Sequence, residues 1–139
     1  MQKPFIIAVV GLLGSGKSEA TSRFIERGFA RVGFNDSLYE EIERRGLKRV
    51  QEHERPVREE MRREFGMAVM AERALPKVKN AFAEGKNVAI ESLYSWSEYK
   101  LMKEKFGEQF KALAIYAPPR ARYQRMSRRP ERPLAFEEA

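Results

Sequence analysis

The sequence contains no cysteine, and only one histidine and one tryptophan occur among its 139 residues. Without cysteine the chain can form neither disulfide bonds nor a thiolate metal site, which is typical of a cytoplasmic protein. No apolar run reaches the roughly 18 residues that a membrane-spanning helix needs, and the first residues lead into a strand-like run without a signal-peptide pattern. We therefore expect a cytoplasmic domain with no membrane partner.

Charged residues, in contrast, are abundant. The chain has 27 lysine and arginine residues against 20 aspartate and glutamate residues, a net charge of +7. A basic balance favours an anionic ligand, either a nucleotide or a nucleic acid. Because the basic residues are interleaved with acidic ones and no nucleic-acid-binding motif occurs, we favour a nucleotide as the partner. The length predicts a single domain over residues 1–139.

The segment 11–18 reads G-x-x-x-x-G-K-S, the pattern of a phosphate-binding loop. It follows an apolar run at 5–10, typical of a buried strand, and precedes an amphipathic helix at about 17–27. In such a loop the backbone N–H groups surround a phosphate, the lysine reaches the β- and γ-phosphates, and the serine hydroxyl binds Mg²⁺. The alternative is a glycine-rich turn capped by Ser18. The predicted ATP and Mg²⁺ site comprises Gly11, Leu12, Leu13, Gly14, Ser15, Gly16, Lys17, Ser18 and Glu19.

Beyond the loop, strand-like and helix-like segments alternate, which predicts an α/β fold with a three-layer parallel sheet of about four strands. A long helical insertion at about 38–84 separates the second strand from the third. Pro56 fits the first turn of a helix there, and Pro76 predicts a kink or a new helix start. The remaining predicted strands are 29–34, 87–91 and 110–116, and capping boxes at Ser37-x-x-Glu40 and Ser95-x-x-Glu98 predict two helix starts.

Two acidic residues follow strands, and ligands of parallel sheets bind beyond the carboxyl ends of the strands. Asp36 could orient or deprotonate an acceptor hydroxyl or hold a metal-bound water, although it could also cap the next helix. Glu91 follows the apolar run 88–90, a pattern that places a carboxylate beside magnesium; alone it could be a solvent-facing acid. We predict that Ser18, Asp36 and Glu91 form the metal site.

Six arginines crowd the segment 120–132. Phosphoryl transfer requires cations around the transferred group, and arginine supplies them with bidentate donors. Arg125 and Arg129 are spaced i, i+4 on one helix face and are predicted to be catalytic together with Lys17 and Asp36, while Arg128 is predicted to bind the nucleotide. Two further arginines of the insertion, Arg58 and Arg62, could dock an anionic acceptor or pair with neighbouring glutamates.

Taken together, these residues resemble the P-loop kinases of the nucleoside-monophosphate kinase type, nearest the dephospho-coenzyme A kinase-like and uncharacterised adenylate-kinase-related branch. The resemblance lies in 11–18, the strand end 33–36, the insertion, 88–92 and the arginines. It implies an ATP- and Mg²⁺-dependent kinase whose acceptor, a nucleoside monophosphate or dephospho-coenzyme A, binds under the insertion and whose arginine-bearing lid spans about 118–133. Carried over, Asp36 matches the acid at the acceptor, Glu91 the strand-three acid, and Arg125, Arg128 and Arg129 the lid arginines.

The sequence departs from this family in two places. Its third strand ends in Glu-Ser-Leu where many relatives have Asp-Gly, and the given sequence stops at Ala139, before the helix and fifth strand that usually follow the lid. A truncated or degenerate nucleotide-binding module without kinase turnover therefore stays open as an alternative, as does a nucleic-acid-associated P-loop NTPase. A sheet short of one strand would also leave an edge that a second copy could cover in a homodimer.

Overall fold

The structure, a computed structural model, describes residues 3–12 and 14–127. Leu13, Arg128 and Arg129 of the predicted site lie outside these ranges, and of Arg125 only the backbone is described. The elements, in chain order, are β1 Ile6–Val10, α1 Lys17–Glu26, β2 Ala30–Gly33, α2 Asp36–Arg44, α3 Gln51–Phe65, α4 Val69–Ala83, β3 Val88–Glu91, α5 Trp96–Phe106, a 3-10 turn Gly107–Gln109, β4 Phe110–Ala114 and α6 Pro119–Ser127.

The four strands form one parallel sheet in the order β2-β3-β1-β4. Among residues 3–12 and 14–127, this confirms the predicted α/β fold with a parallel sheet of about four strands. The order places β1 between β3 and β4, so the loop after β1 lies at the middle of the sheet's carboxyl edge. The ends of β2 and β3, which precede Asp36 and include Glu91, lie beside it on the same edge.

The core forms where the sheet meets the helices that follow β2 and β3. Strand residues such as Ile6, Val32 and Ile90 are fully or almost fully buried, which explains the near-continuous apolar runs of β1 and β3. Helix α4 contributes an apolar stripe at helical spacing that packs into the same cluster. The stripe consists of Met70, Ala71, Ala74, Val78 and Ala81. Among the described residues no helix is both long and apolar enough to cross a membrane.

The structure corrects several predicted boundaries. Helix α2 begins at Asp36, so the predicted capping box at Ser37 is wrong; the Ser37 hydroxyl is turned towards α4 and donates to the sulfur of Met70 at 3.3 Å. Helix α3 begins five residues before Pro56 rather than at it, and Pro76 lies inside the single helix α4 without a new start. Tertiary packing of the apolar faces keeps both helices continuous, although each proline removes one intrahelical hydrogen bond.

The capping box at Ser95 is confirmed. Its hydroxyl accepts a hydrogen bond from the Glu98 backbone N–H at 3.1 Å, and the Glu98 carboxylate accepts one from the Ser95 N–H at 2.9 Å. This reciprocal pair fixes where α5 begins, with only four residues between it and the end of β3. It therefore also fixes the course of the loop that leaves the carboxyl edge of the sheet at Glu91.

Candidate functional site

The loop between β1 and α1 folds tightly against the end of β4. A Cβ atom on Gly11 would lie 2.6 Å from the carbonyl oxygen of Ile115 and 2.6 Å from the Ser15 hydroxyl oxygen, so no larger residue fits there. Gly16, immediately before α1, has a φ of 101°, a backbone conformation that only glycine adopts readily. The glycines of the pattern thus bring the backbone into a compact turn at the positive end of α1.

Two side chains of this loop have the chemistry that an anion requires. The Ser15 hydroxyl oxygen is buried and has no hydrogen-bond partner within residues 3–12 and 14–127. The Lys17 ammonium group donates to the Gly11 carbonyl at 2.8 Å and lies 5.1 Å from the centre of the Tyr94 ring. A buried hydroxyl and an ammonium group at a helix N-terminus fit a phosphate group, and Ser18, exposed in the first turn, fits a magnesium ion held by that phosphate.

Tyr94 is held beside Lys17 by a buried carboxylate. One oxygen of Glu98 accepts the backbone N–H of Tyr94 at 3.0 Å as well as that of Ser95, and Glu98 is 1% exposed. Ser92, two residues earlier, has a φ of 69°, which is uncommon for a residue other than glycine. The loop after β3 is thus ordered by local hydrogen bonds, and it presents the half-exposed Tyr94 ring to the phosphate loop.

A second cluster of charges occupies the carboxyl ends of β2 and β3. The Arg31 guanidinium donates from Nε to Glu91 Oε2 at 2.8 Å, from Nη2 to Asp36 Oδ1 at 3.3 Å and from Nη1 to Asp36 Oδ2 at 3.4 Å. The Lys77 ammonium group of α4 donates to the same Asp36 Oδ2 at 3.2 Å. Two cations and two carboxylates from four elements therefore meet at one end of the sheet.

Gly33 makes room for this cluster. Side chains two residues apart on a strand point to the same face, so Arg31 passes over position 33, and Glu91 is the cross-strand partner of Gly33. A Cβ atom on Gly33 would lie 2.5 Å from Asp36 Oδ1 and 2.7 Å from Arg31 Nη2. Without a side chain at this position, the guanidinium can reach both carboxylates.

The contacts alter the acidity of the paired groups. Burial raises the pKa of Asp36, but hydrogen bonds from Arg31 and Lys77, together with their charges, outweigh it and leave the pKa below the ordinary value of 3.8. Burial lowers the pKa of the Arg31 guanidinium. The hydrogen bond to Asp36 and the charges of both carboxylates outweigh this effect, so the pKa lies above its ordinary value. Asp36 is consequently ionised and a weak proton acceptor in this arrangement.

The structure brings some of the predicted site residues together. Lys17 and Ser18 share the first turn of α1, where Glu19 is exposed, and Asp36 and Glu91 are joined through Arg31. The backbone of Arg125 lies in α6, the helix that follows β4.

Sequence reasoning did not identify Arg31, Lys77 or Tyr94. The spacing of Arg31 and Gly33 on a strand that ends near Asp36 could have indicated Arg31, because both positions share a face. Lys77 and Tyr94 join the site only through tertiary contacts.

The predicted metal ligands fit a metal ion unequally. Ser18 is exposed beside the phosphate loop and fits one. Both oxygens of Asp36 and one oxygen of Glu91 instead accept hydrogen bonds from cationic side chains. In the part of the chain that the structure describes, no group of three or more acidic, histidine or cysteine side chains could hold a metal ion.

Comparisons with known proteins bear on the family and the fold of the chain. A family model described as an AAA domain matches residues 7–138. A UPF0200 protein of Pyrococcus abyssi is 37% identical over 125 residues, which cover 89% of this chain and 67% of the relative.

Two solved kinases share the fold at low sequence identity. A gluconokinase from Sinorhizobium meliloti 1021 superposes with a TM-score of 0.55 at 17% identity, covering 99% of this chain and 71% of that one. A shikimate kinase from Bacteroides thetaiotaomicron gives 0.54 at 16% identity, covering 96% and 72%. These two likenesses show that the chain has the fold of the P-loop kinases.

Proposed function

Since the chain belongs to the UPF0200 family and its residues 7–138 match an AAA domain, we propose that it is an ATP-dependent phosphotransferase that moves the γ-phosphoryl group of ATP to a small nucleotide-like acceptor. The observation that carries this proposal is the phosphate loop, in which the buried Ser15 hydroxyl and the Lys17 ammonium group meet at the N-terminus of α1. The second charged cluster lies beside it, one strand away.

On the donor side, we assign the loop residues to the phosphates of ATP. Lys17 would donate to phosphate oxygens, the Ser15 hydroxyl would donate to the same group, and the helix terminus would add a favourable field. Magnesium, which Ser18 would hold, neutralises charge on the phosphates when it is bound. Catalysis would consist mainly of positioning and charge stabilisation, because phosphoryl transfer needs little covalent chemistry from the protein.

On the acceptor side, we assign the space between the sheet edge and the helices α2, α3 and α4. Arg58 and Arg62 are one helical turn apart on α3, and the Nε atom of each is buried without a hydrogen-bond partner among the described residues. Half-buried arginines whose Nε atoms lack a partner favour an anionic acceptor, such as a nucleoside monophosphate or dephospho-coenzyme A. For a hydroxyl acceptor such as dephospho-coenzyme A, Asp36 would orient the hydroxyl rather than deprotonate it, because its pKa is lowered. The hydroxyl proton would then pass to an oxygen of the transferred phosphoryl group, and ADP would be the leaving group.

We also propose that arginines following β4 contact the phosphates. Arg125 and Arg129 are proposed to neutralise the transferred group, and Arg128 to bind the nucleotide. Each would act as a bidentate donor to phosphate oxygens.

The test is phosphoryl transfer from radiolabelled ATP with Mg²⁺ to nucleoside monophosphates, nucleosides, dephospho-coenzyme A and a 5′-hydroxyl oligonucleotide. We expect turnover on one small acceptor, and its loss in Lys17→Ala. Lys79→Ala, which removes an exposed lysine of α4, is the matched control and should retain the wild-type rate. A rate that survives Lys17→Ala would contradict the assignment of the phosphate loop.

One observation favours a second candidate, a nucleotide-binding module without turnover. Arg31 donates hydrogen bonds to three of the four carboxylate oxygens of Asp36 and Glu91. If this arrangement persists when ATP is bound, the protein would bind the nucleotide without transferring its phosphate. Isothermal titration with ATP alongside the acceptor panel separates the two, because binding without turnover on any acceptor supports the second candidate.

A further inference from the structure

We infer that Arg31 supplies the cation at the carboxyl ends of β2 and β3, and that Asp36 and Glu91 position its guanidinium rather than ligating a divalent metal ion. The magnesium ion of the proposed reaction would then have Ser18 and the nucleotide phosphates as ligands, without these carboxylates. In the nucleotide-free protein, the exclusion of a metal ion by Arg31 does not depend on the proposed function.

Three of the four carboxylate oxygens of Asp36 and Glu91 already accept hydrogen bonds from cationic side chains. Asp36 Oδ1 accepts from Arg31, Asp36 Oδ2 accepts from both Arg31 and Lys77, and Glu91 Oε2 accepts from Arg31. Magnesium needs the same lone pairs at about 2.0–2.1 Å and in near-octahedral geometry. A metal ion and the guanidinium group therefore compete for three of the four oxygens.

The charges of this cluster balance without a metal ion. Arg31 and Lys77 together offset the charges of Asp36 and Glu91, so the cluster has no net charge to attract a divalent cation. A metal ion would have to displace Arg31, leaving an ammonium group and a guanidinium group beside it. Both cations would then oppose binding by repulsion.

The backbone also supports the position of the Arg31 guanidinium. Gly33 leaves the gap that the guanidinium crosses, and the β2–β3 register sets Glu91 opposite that gap. Asp36 begins α2 and Lys77 extends from α4, so neither partner comes from the strand that carries Arg31. These constraints fix the direction of the guanidinium fork.

This fixed guanidinium retains donors for a substrate. An arginine side chain has five N–H groups, and the contacts to Asp36 and Glu91 use three of them. The other two have no partner among the residues that the structure describes, so they can meet an oxygen atom of the acceptor. This last step rests on the proposed function, and the metal experiments below do not depend on it.

The first experiment is a Mn²⁺ titration of the nucleotide-free protein, followed by electron paramagnetic resonance. The wild type should show no Mn²⁺ binding that requires Glu91. The control Arg55→Met, which breaks the exposed Arg55–Glu59 pair, should behave in the same way. Arg31→Met should gain binding by at least about tenfold, and adding Glu91→Gln should remove the gain. Circular dichroism establishes that each variant is folded.

Two results of this titration would overturn the inference. Mn²⁺ binding by the wild type that disappears in Glu91→Gln or Asp36→Asn would identify the carboxylates as metal ligands in the presence of Arg31. A folded Arg31→Met variant that gains no binding would mean that Arg31 is not what excludes the metal ion.

The second experiment measures the Mg²⁺ concentration at which ATP binding is half-maximal, using calorimetry. Ser18→Ala should raise this midpoint about tenfold, whereas Asp36→Asn and Glu91→Gln should leave it unchanged. A rise in Glu91→Gln as large as that in Ser18→Ala would overturn the inference. If the wild type binds no ATP, the proposed function fails, while the Mn²⁺ titration still decides the role of Arg31.

Discussion

The Lys17 ammonium group donates a hydrogen bond to the Gly11 carbonyl of its own loop, 2.8 Å away. The first and seventh residues of the phosphate-loop pattern are thereby linked, and the Tyr94 ring covers the same ammonium group at 5.1 Å from its centre. The ammonium group has three N–H donors, so a phosphate group entering the loop can accept a hydrogen bond from Lys17 while the ring stays beside it. Tyr94 is therefore placed to influence nucleotide affinity through Lys17.

We predict that Tyr94→Ala weakens ATP binding about two- to fivefold, whereas Tyr94→Phe leaves it nearly unchanged. A cation–π contact at a partly exposed site contributes about 0.5–1 kcal/mol, and the phenyl ring preserves it. Without the ring the lysine side chain has more freedom, which binding must then remove. Calorimetric dissociation constants for the two variants provide the measurement, and equal effects of alanine and phenylalanine would contradict a role for the ring face.

We predict that Gly33→Ala disrupts the Arg31–Asp36 pair while the protein still folds. The added Cβ atom would lie 2.5 Å from Asp36 Oδ1 and 2.7 Å from Arg31 Nη2, and both atoms belong to side chains that can move away. The expected loss of stability is about 1–2 kcal/mol, and the pKa of Asp36 should rise towards 3.8 as its partners withdraw. An NMR titration of the Asp36 carboxyl group measures the shift.

The matched experiment for Gly33→Ala is the same substitution in an Asp36→Ala background. There the closest contact is already absent, so alanine at position 33 should destabilise the protein less than it does alone. Equal destabilisation in both backgrounds would show that the steric conflict lies elsewhere.

The fold was predictable from the sequence because strands buried on both faces and helices with one apolar stripe have different periods. The phosphate loop was predictable because its chemistry requires particular residues at fixed spacing along the chain. The partners of Asp36 were not, since Lys77 is 41 residues away and reaches it only when α4 packs across β2. The start of α2 was misplaced for a similar reason: Ser37 has a tertiary partner in Met70, which local capping rules do not contain.

We predict that stability is nearly constant above pH 5 and falls as the pH drops from about 4.5 towards 2. Hydrogen bonds from Arg44 and Arg45 lower the pKa of Glu41 from 4.5 to about 2, and the pKa values of Glu60 and Asp36 are lowered as well. A carboxyl group whose pKa is lower in the folded state stabilises the fold above its unfolded pKa, and that contribution disappears as the pH falls through the folded value.

Melting temperatures measured by circular dichroism between pH 2 and pH 8 test this dependence. Glu41→Gln should flatten the acid side of the curve, because the glutamine does not titrate. Glu104→Gln, an exposed residue of α5, is the control and should reproduce the wild-type curve. A loss of stability confined to the region above pH 6 would contradict the assignment to these carboxylates.

We predict that Glu98→Ala destabilises the protein and loosens the loop that presents Tyr94. The Glu98 carboxylate is 1% exposed, and one of its oxygens accepts the backbone N–H groups of Tyr94 and Ser95. Alanine leaves both donors without that acceptor, with an expected loss of about 1–3 kcal/mol in the free energy of unfolding. Glu98→Gln keeps an amide oxygen at this position and should be affected less.

The only tryptophan of the sequence, Trp96, gives a local readout of the same variants. Trp96 is the first residue of α5, next to the Ser95 cap, and its ring stacks on Tyr99 with the two ring centroids 5.2 Å apart. Its fluorescence emission should therefore change in Glu98→Ala before the protein unfolds globally. Urea denaturation followed by this fluorescence and by circular dichroism separates loop opening from unfolding. Glu104→Ala, on an exposed position of the same helix, is the control, and a Glu98→Ala variant as stable as this control would show that the buried carboxylate does not hold the loop.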